Sequence, residues 1–182
     1  MLIQITDLIE AKRIHAQGFA GIISIADPWA ETLVPGQDTG IDHLELRFVD
    51  LDQPLEGTEP HRHMVMPTAA MVQQALDFAA RHAEAKLLIH CHAGVSRSTA
   101  IGFAICAARL GPGAEEQALD ALLAIVPDAV PNLAVVAIAD NLLQRSGALL
   151  STMVRWDAAT PRNHKRRRVN RCAYQEIFLR PR

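Results

Sequence analysis

His90-Cys91-His92-Ala93-Gly94-Val95-Ser96-Arg97-Ser98 sets a cysteine and an arginine in one short stretch, with five residues between them. Before it, Lys86-Leu87-Leu88-Ile89 is a short apolar run of buried-strand character. After it, Ser98 to Leu110 is small, apolar and long enough for a buried helix. The stretch is therefore a loop between a strand end and a helix N-terminus. Backbone N–H groups in such a loop face an anion and the helix dipole adds partial positive charge, so phosphate is its natural guest.

The residue types suit that guest. The N–H cradle favours thiolate over thiol at Cys91, which makes it a nucleophile. Arg97 presents a planar fork that grips two phosphoryl oxygens at once, a task the point charge of lysine performs less well. Gly94 supplies the backbone freedom of a tight loop. Ser98 offers a hydroxyl that can donate to the Cys91 sulfur and make it a better leaving group. The remaining interior, His92, Ala93, Gly94, Val95 and Ser96, lines the cradle.

His90-Cys91 through Arg97-Ser98 resembles the signature loop of the cysteine-dependent protein tyrosine phosphatases, in their short dual-specificity-like, bacterial-type branch. Leu46-Arg47-Phe48-Val49-Asp50 ends a strand with an aspartate upstream of the loop, where these phosphatases keep a general acid. Pro131-Asn132 opens a later helix, as it often does in them. The similarity spans about residues 20 to 145. It implies a phosphomonoester hydrolase acting on phosphorylated protein or a small phosphomonoester through a cysteinyl-phosphate, with no cofactor and no metal.

The acid has two candidates. Asp50 lies 41 positions before Cys91, a longer separation than compact members of the branch show, and Asp52 follows two residues on. In extended chain both carboxylates face the same side. Asp50 is favoured because it follows the apolar strand directly, with Asp52 as the alternative; Asp27, in Ala26-Asp27-Pro28, reads as a strand end. Asn132 reads as the cap of the helix at Leu133 and could also hydrogen-bond the cradle. The loop interior lacks the lysines that phosphoinositide phosphatases of this superfamily carry, which favours protein or aryl phosphates over inositol lipids. A phospho-binding module without turnover, or a rhodanese-like sulfurtransferase, would also use a cysteine or an anion cradle of this kind.

The 182 residues, 49% hydrophobic and 21% charged, are enough for one globular catalytic domain, read over residues 1–150. Alternating strand and helix patterns predict an α/β fold with a central, mostly parallel sheet flanked by helices. Three cysteines, Cys91, Cys106 and Cys172, without framework spacing suit a reducing compartment. With no signal-peptide pattern and no transmembrane run, cytoplasmic residence is the default. His61-Arg62-His63 reads as an exposed loop at the mouth of the cleft. Together with His90 and His92 these histidines lack the convergent carboxylate or thiolate company of a zinc site. Residues 151–182 form a basic tail, with nine Lys/Arg against two Asp/Glu. It is expected to lie on the acidic body, with contact to nucleic acid or an anionic surface as the sharper alternative, and Tyr174 to Leu179 reads as one terminal strand.

Overall fold

The computed structural model describes residues 2–15, 17–30, 40–56 and 64–179. Four strands, β1 (Ile3–Thr6), β2 (Gly21–Ala26), β3 (Asp42–Arg47) and β4 (Leu87–His90), form a wholly parallel sheet in the order β1-β4-β2-β3. Strand β4 lies between β1 and β2, with Ile89 in register with Ile5 on one side and Ile23 on the other. Its apolar run is continuous because both faces are covered. Leu87 and Ile89 face the main core, while Leu88 turns to a smaller cluster with Ile22, Ala11 and Ile14. His43-Leu44-Glu45-Leu46-Arg47-Phe48 alternates polar and apolar residues, and most of it forms β3, the edge strand, which is only partly buried.

Helix α1 (Leu8–Ile14) covers the face of Leu88. Its first turn is capped by the Asp7 carboxylate, which accepts from the Glu10 N–H. Helices α2 (Ala69–Arg81), α3 (Arg97–Leu110), α4 (Glu115–Ile125) and α5 (Leu133–Leu142) contribute to the core on the other face. Thr68 caps α2 as its position predicts. Helix α3 is buried from Arg97 to Ala107, as its uniform apolarity requires. Thus β4 runs into the cysteine loop and the loop runs directly into the buried helix, at the C-terminal end of a central strand where open α/β sheets bind ligands.

The C-terminal region differs from its sequence reading in two ways. Helix α5 stops at Leu142, because Gln144 and Ser146 take positive φ of 56° and 52°, and a further helix, α6 (Ala148–Ala159), follows. The boundary read between residues 150 and 151 falls inside α6. That helix has no side-chain cap of its own in sequence. Asp140 of α5 caps it instead, accepting from the N–H groups of Gly147, Leu149 and Leu150.

Tyr174 to Leu179 is not a strand but the end of a 19-residue helix, α7 (Pro161–Leu179). Its aromatic and aliphatic residues suggest strand composition, yet Tyr174 is buried and Phe178 half-buried, four positions apart, while Ile177 is 57% exposed. That is a helical, not an alternating, period. Pro161 suits the first turn, where its missing N–H costs nothing.

Arg167 fastens α7 to the body. It donates to both carboxylate oxygens of Asp52 (3.1 and 3.2 Å), to Asp157 (2.9 Å) and to the Pro131 carbonyl (3.0 Å). Arg166 pairs with Asp128 at 2.8 Å nearer the surface. Replacing Arg167 by alanine removes the cation shared by Asp52 and the buried Asp157, so Arg167→Ala is expected to lower the unfolding free energy by about 2–4 kcal/mol, read by urea denaturation. Arg166→Ala, whose pair is exposed, should cost less than about 1 kcal/mol.

Candidate active site

The cysteine loop is held from outside by its carbonyls. His92 accepts from the Leu8 N–H, Val95 from the Val130 N–H and the Thr99 hydroxyl, and Ser96 from Thr99 and from Ala100. Outward carbonyls turn the intervening N–H groups inward, and the Gly94 N–H donates to Cys91 Sγ at 3.3 Å. Gly94 is required twice over. Its φ is +72°, and a Cβ there would stand 2.6 Å from the backbone of Thr6 and Asp7, which a side chain cannot displace. The β1–α1 turn therefore presses against the loop. His92 and Ala93 are exposed, Val95 and Ser96 half-buried, and Cys91 lies at the floor, 2% exposed.

Ser98 Oγ sits 3.2 Å from Cys91 Sγ, the contact its position predicts. Ser96 occupies the N-cap position of α3 without capping it; its hydroxyl donates instead to Asp50 Oδ1 at 2.7 Å. The first N–H groups of α3 are thus left without a side-chain cap, the condition under which a helix start binds an anion.

Arg97 is buried at the same end of α3. It donates to the Phe48 carbonyl (2.8 Å) and to both oxygens of Asp27 (3.2 and 3.4 Å). Its Nε is buried with no partner among the described residues, a donor available beside the loop. Burial works against its charge, but Asp50, Cys91 and Asp27 together outweigh it and hold its pKa above the ordinary value. Asp27, read from sequence as a strand end, is the carboxylate that orients the arginine.

The two candidate acids have different environments. Asp50 Oδ1 accepts from Ser96 of the loop and from Asn132 Nδ2 (3.0 Å). Loss of solvent raises its pKa above the usual carboxylate value, although Arg97 and these two hydrogen bonds oppose the rise. Asp52 instead accepts from the Leu133 N–H at the start of α5 and from Arg167. Asp50 therefore touches the loop, while Asp52 joins two helices. Asn132 has a double role: Oδ1 caps α5 at Val135 and Nδ2 holds Asp50 and the Leu51 carbonyl.

Further residues that the sequence did not mark as part of the site lie beside it. From α7, Tyr174 donates to Asp27 Oδ1 (2.5 Å) and accepts from the Asp50 N–H (2.9 Å), and Asn170 donates to the Asp50 carbonyl. Trp29 packs edge-on to Tyr174 and Phe178. Arg167, Asn170, Tyr174 and Phe178 recur at helical spacing, a signal masked by the surrounding basic run. Ser24 accounts for His90: its hydroxyl lies 2.6 Å from His90 Nε2 and 2.9 Å from His43 Nε2, joining three adjacent strands beneath the loop. His61-Arg62-His63 lies outside the described residues, and among the described residues no three metal-ligating side chains converge.

A cavity of about 620 Å³ opens between the loop and α7. Asp50, Ala93, Val95 and Ser96 form one side, and Arg162, Lys165 and Asn170 of α7 the other.

Solved structures share this fold. DUSP15 matches with a TM-score of 0.58 and 22% identity over 86% of this chain and 91% of that one. The fold is that of the dual-specificity phosphatases. Human DUSP28 gives a TM-score of 0.57 at 14% identity, covering 80% of this chain and 90% of that one. Tk-PTP in its active form gives 0.54 at 17%, covering 79% and 90%. No family model and no curated protein sequence matches the chain. No helix among the described residues is long and apolar enough to cross a membrane.

Burial pushes the His90 pKa down to about 4, so the ring is neutral at neutral pH. A histidine whose folded pKa lies below its unfolded value stabilises the fold above the unfolded pKa, near 6.5, and loses that contribution as pH falls toward 4. The protein is expected to lose up to about 3 kcal/mol across that window through this group. Chemical denaturation of His90→Gln between pH 7 and 4 should show a shallower decline than the parent.

Proposed function

We propose that the chain is a cysteine-dependent phosphomonoester hydrolase acting on phosphorylated protein or small aryl phosphates. The observation that carries this reading is a buried cysteine at the floor of a loop whose own Ser96 is hydrogen-bonded to a carboxylate of raised pKa, Asp50. A phospho-binding module has no use for an acid held at that place, which favours turnover over silent binding. The Arg97–Ser98 end of the loop and the upstream acid favour phosphate over the sulfur transfer of a rhodanese.

The reaction has two displacements. The Cys91 thiolate attacks phosphorus, an S–P bond forms as the P–O bond to the leaving group breaks, and Asp50 gives its proton to the departing oxygen. Arg97 and the loop N–H groups hold the equatorial oxygens. Water then attacks the cysteinyl-phosphate, its proton passes to Asp50, and the S–P bond breaks. The Ser98 hydroxyl donates to the sulfur as it leaves. Each step uses only residues of this chain and water.

The cavity suits an aryl body. Its volume is within the range of small-ligand sites, about 300–1,000 Å³, and Ala93, Val95, Val130, Val169 and Ala173 give it apolar walls. Cationic side chains absent from the loop interior are supplied at the rim by α7. Lys165 has no carboxylate partner among the described residues, and Arg162 donates only to the Pro127 carbonyl, so the rim attracts a dianionic substrate.

Hydrolysis of p-nitrophenyl phosphate in chelator tests the reading. Cys91→Ser should abolish turnover, and Arg97→Ala should lower kcat by about 10²-fold or more. Because Asp50 must be protonated to act, the rate should fall as pH rises through its pKa. Asp50→Asn should lose about 10²-fold and flatten that alkaline limb. Turnover retained in Cys91→Ser, or an alkaline limb abolished by Asp52→Asn and kept in Asp50→Asn, would sink the respective assignments.

A further inference from the structure

We propose that α7 positions the general acid: Tyr174 and Asn170 hold the Asp50 main chain from both sides and so set where its proton is delivered. This inference rests on the phosphatase reading above and extends the machinery to a helix about 80 residues beyond the loop.

The geometry is specific. The Tyr174 hydroxyl accepts from the Asp50 N–H at 2.9 Å, and Asn170 Nδ2 donates to the Asp50 carbonyl. Both peptide groups flanking the Asp50 Cα are thus fixed by one helix face. The side chain is fixed separately, with Oδ1 accepting from Ser96 and Asn132. Oδ2 carries no hydrogen bond among the described residues and is the oxygen free to hold and release a proton.

The same hydroxyl donates to Asp27 Oδ1 at 2.5 Å, and Asp27 orients Arg97. One phenol therefore joins the acid to the carboxylate that aims the phosphate clamp. Its donor and acceptor capacities are both used, so removing the oxygen alone leaves a buried N–H and a carboxylate each short of a partner. The ring has its own anchorage, stacked on Phe178 and edge-on to Trp29, and Tyr174→Phe keeps it.

A positioning role and a merely structural one differ in their dependence on the leaving group. p-Nitrophenolate is the better leaving group and depends less on the acid than phenolate, which needs its proton fully in the transition state, and a small misplacement of a catalytic group costs up to about 10²-fold. Tyr174→Phe and Asn170→Ala should each lower kcat for phenyl phosphate by about tenfold, several times more than for p-nitrophenyl phosphate, and move the alkaline limb of the pH profile. In an Asp50→Asn background the same changes should add no further selectivity, because the acid they position is gone.

Equal losses on both esters, no loss, or a selective loss that persists in Asp50→Asn would overturn the positioning role while leaving the phosphatase reading intact. Absence of turnover of either ester by the native protein would overturn both. Thermal unfolding of each variant confirms that folded protein is compared, and Asn170→Ala carries the test if Tyr174→Phe does not fold.

Discussion

A buried guanidinium joins the pieces of this site. Arg97 begins α3, and it reaches the carbonyl of Phe48 just past β3 and the carboxylate of Asp27 just past β2. The ends of two strands and the start of the buried helix are thereby held at one point. An unpaired charge at 3% exposure would be strongly destabilising, so the carboxylate and carbonyl that meet it are obligatory. The loop geometry follows from that constraint: with Arg97 fixed below and Gly94 pressed against the β1–α1 turn above, the segment between them has little choice of path.

The acid side of the site is built by a second set of contacts that converge from three elements. Ser96 comes from the loop, Asn132 from the start of α5, and Asn170 and Tyr174 from α7. Ser96 gives up capping α3 to hold Asp50, and Asn132 caps α5 while holding it. The unequal distribution of charge along the chain has a structural counterpart here. The densest part of the basic run lies in α7, which brings Arg162, Arg166 and Arg167 against the acidic body, and Lys165 stands at the rim of the cavity.

Much of this could be read before folding. Cys91 and Arg97 sit in a strand-loop-helix setting that local periodicity alone defines, and Ser98 follows from its place one residue after the arginine. The strands at 21–26 and 87–90 and the helix at 97–110 are mainly apolar runs, and Gly111-Pro112-Gly113 ends the helix. The sequence favours Asp50 over Asp52 only by its place directly after the strand, since both lie on one side of an extended chain. Their surroundings separate them, because Asp52 lies opposite Arg167 and the Leu133 N–H.

What the sequence determined by itself is the cysteine–arginine loop between a strand and a helix and the layered α/β architecture, because both depend on residues adjacent in the chain and on a period of two or 3.6. What only the tertiary structure decided is the company of that loop: Asp27 opposite Arg97, Tyr174 across Asp27 and Asp50, Ser24 between two histidines, and Asp140 capping α6. These pairings join positions up to 147 residues apart. Tyr174 among arginines carries no local mark of an inward face, and its role appears only when the helix that bears it packs against the ends of β2 and β3.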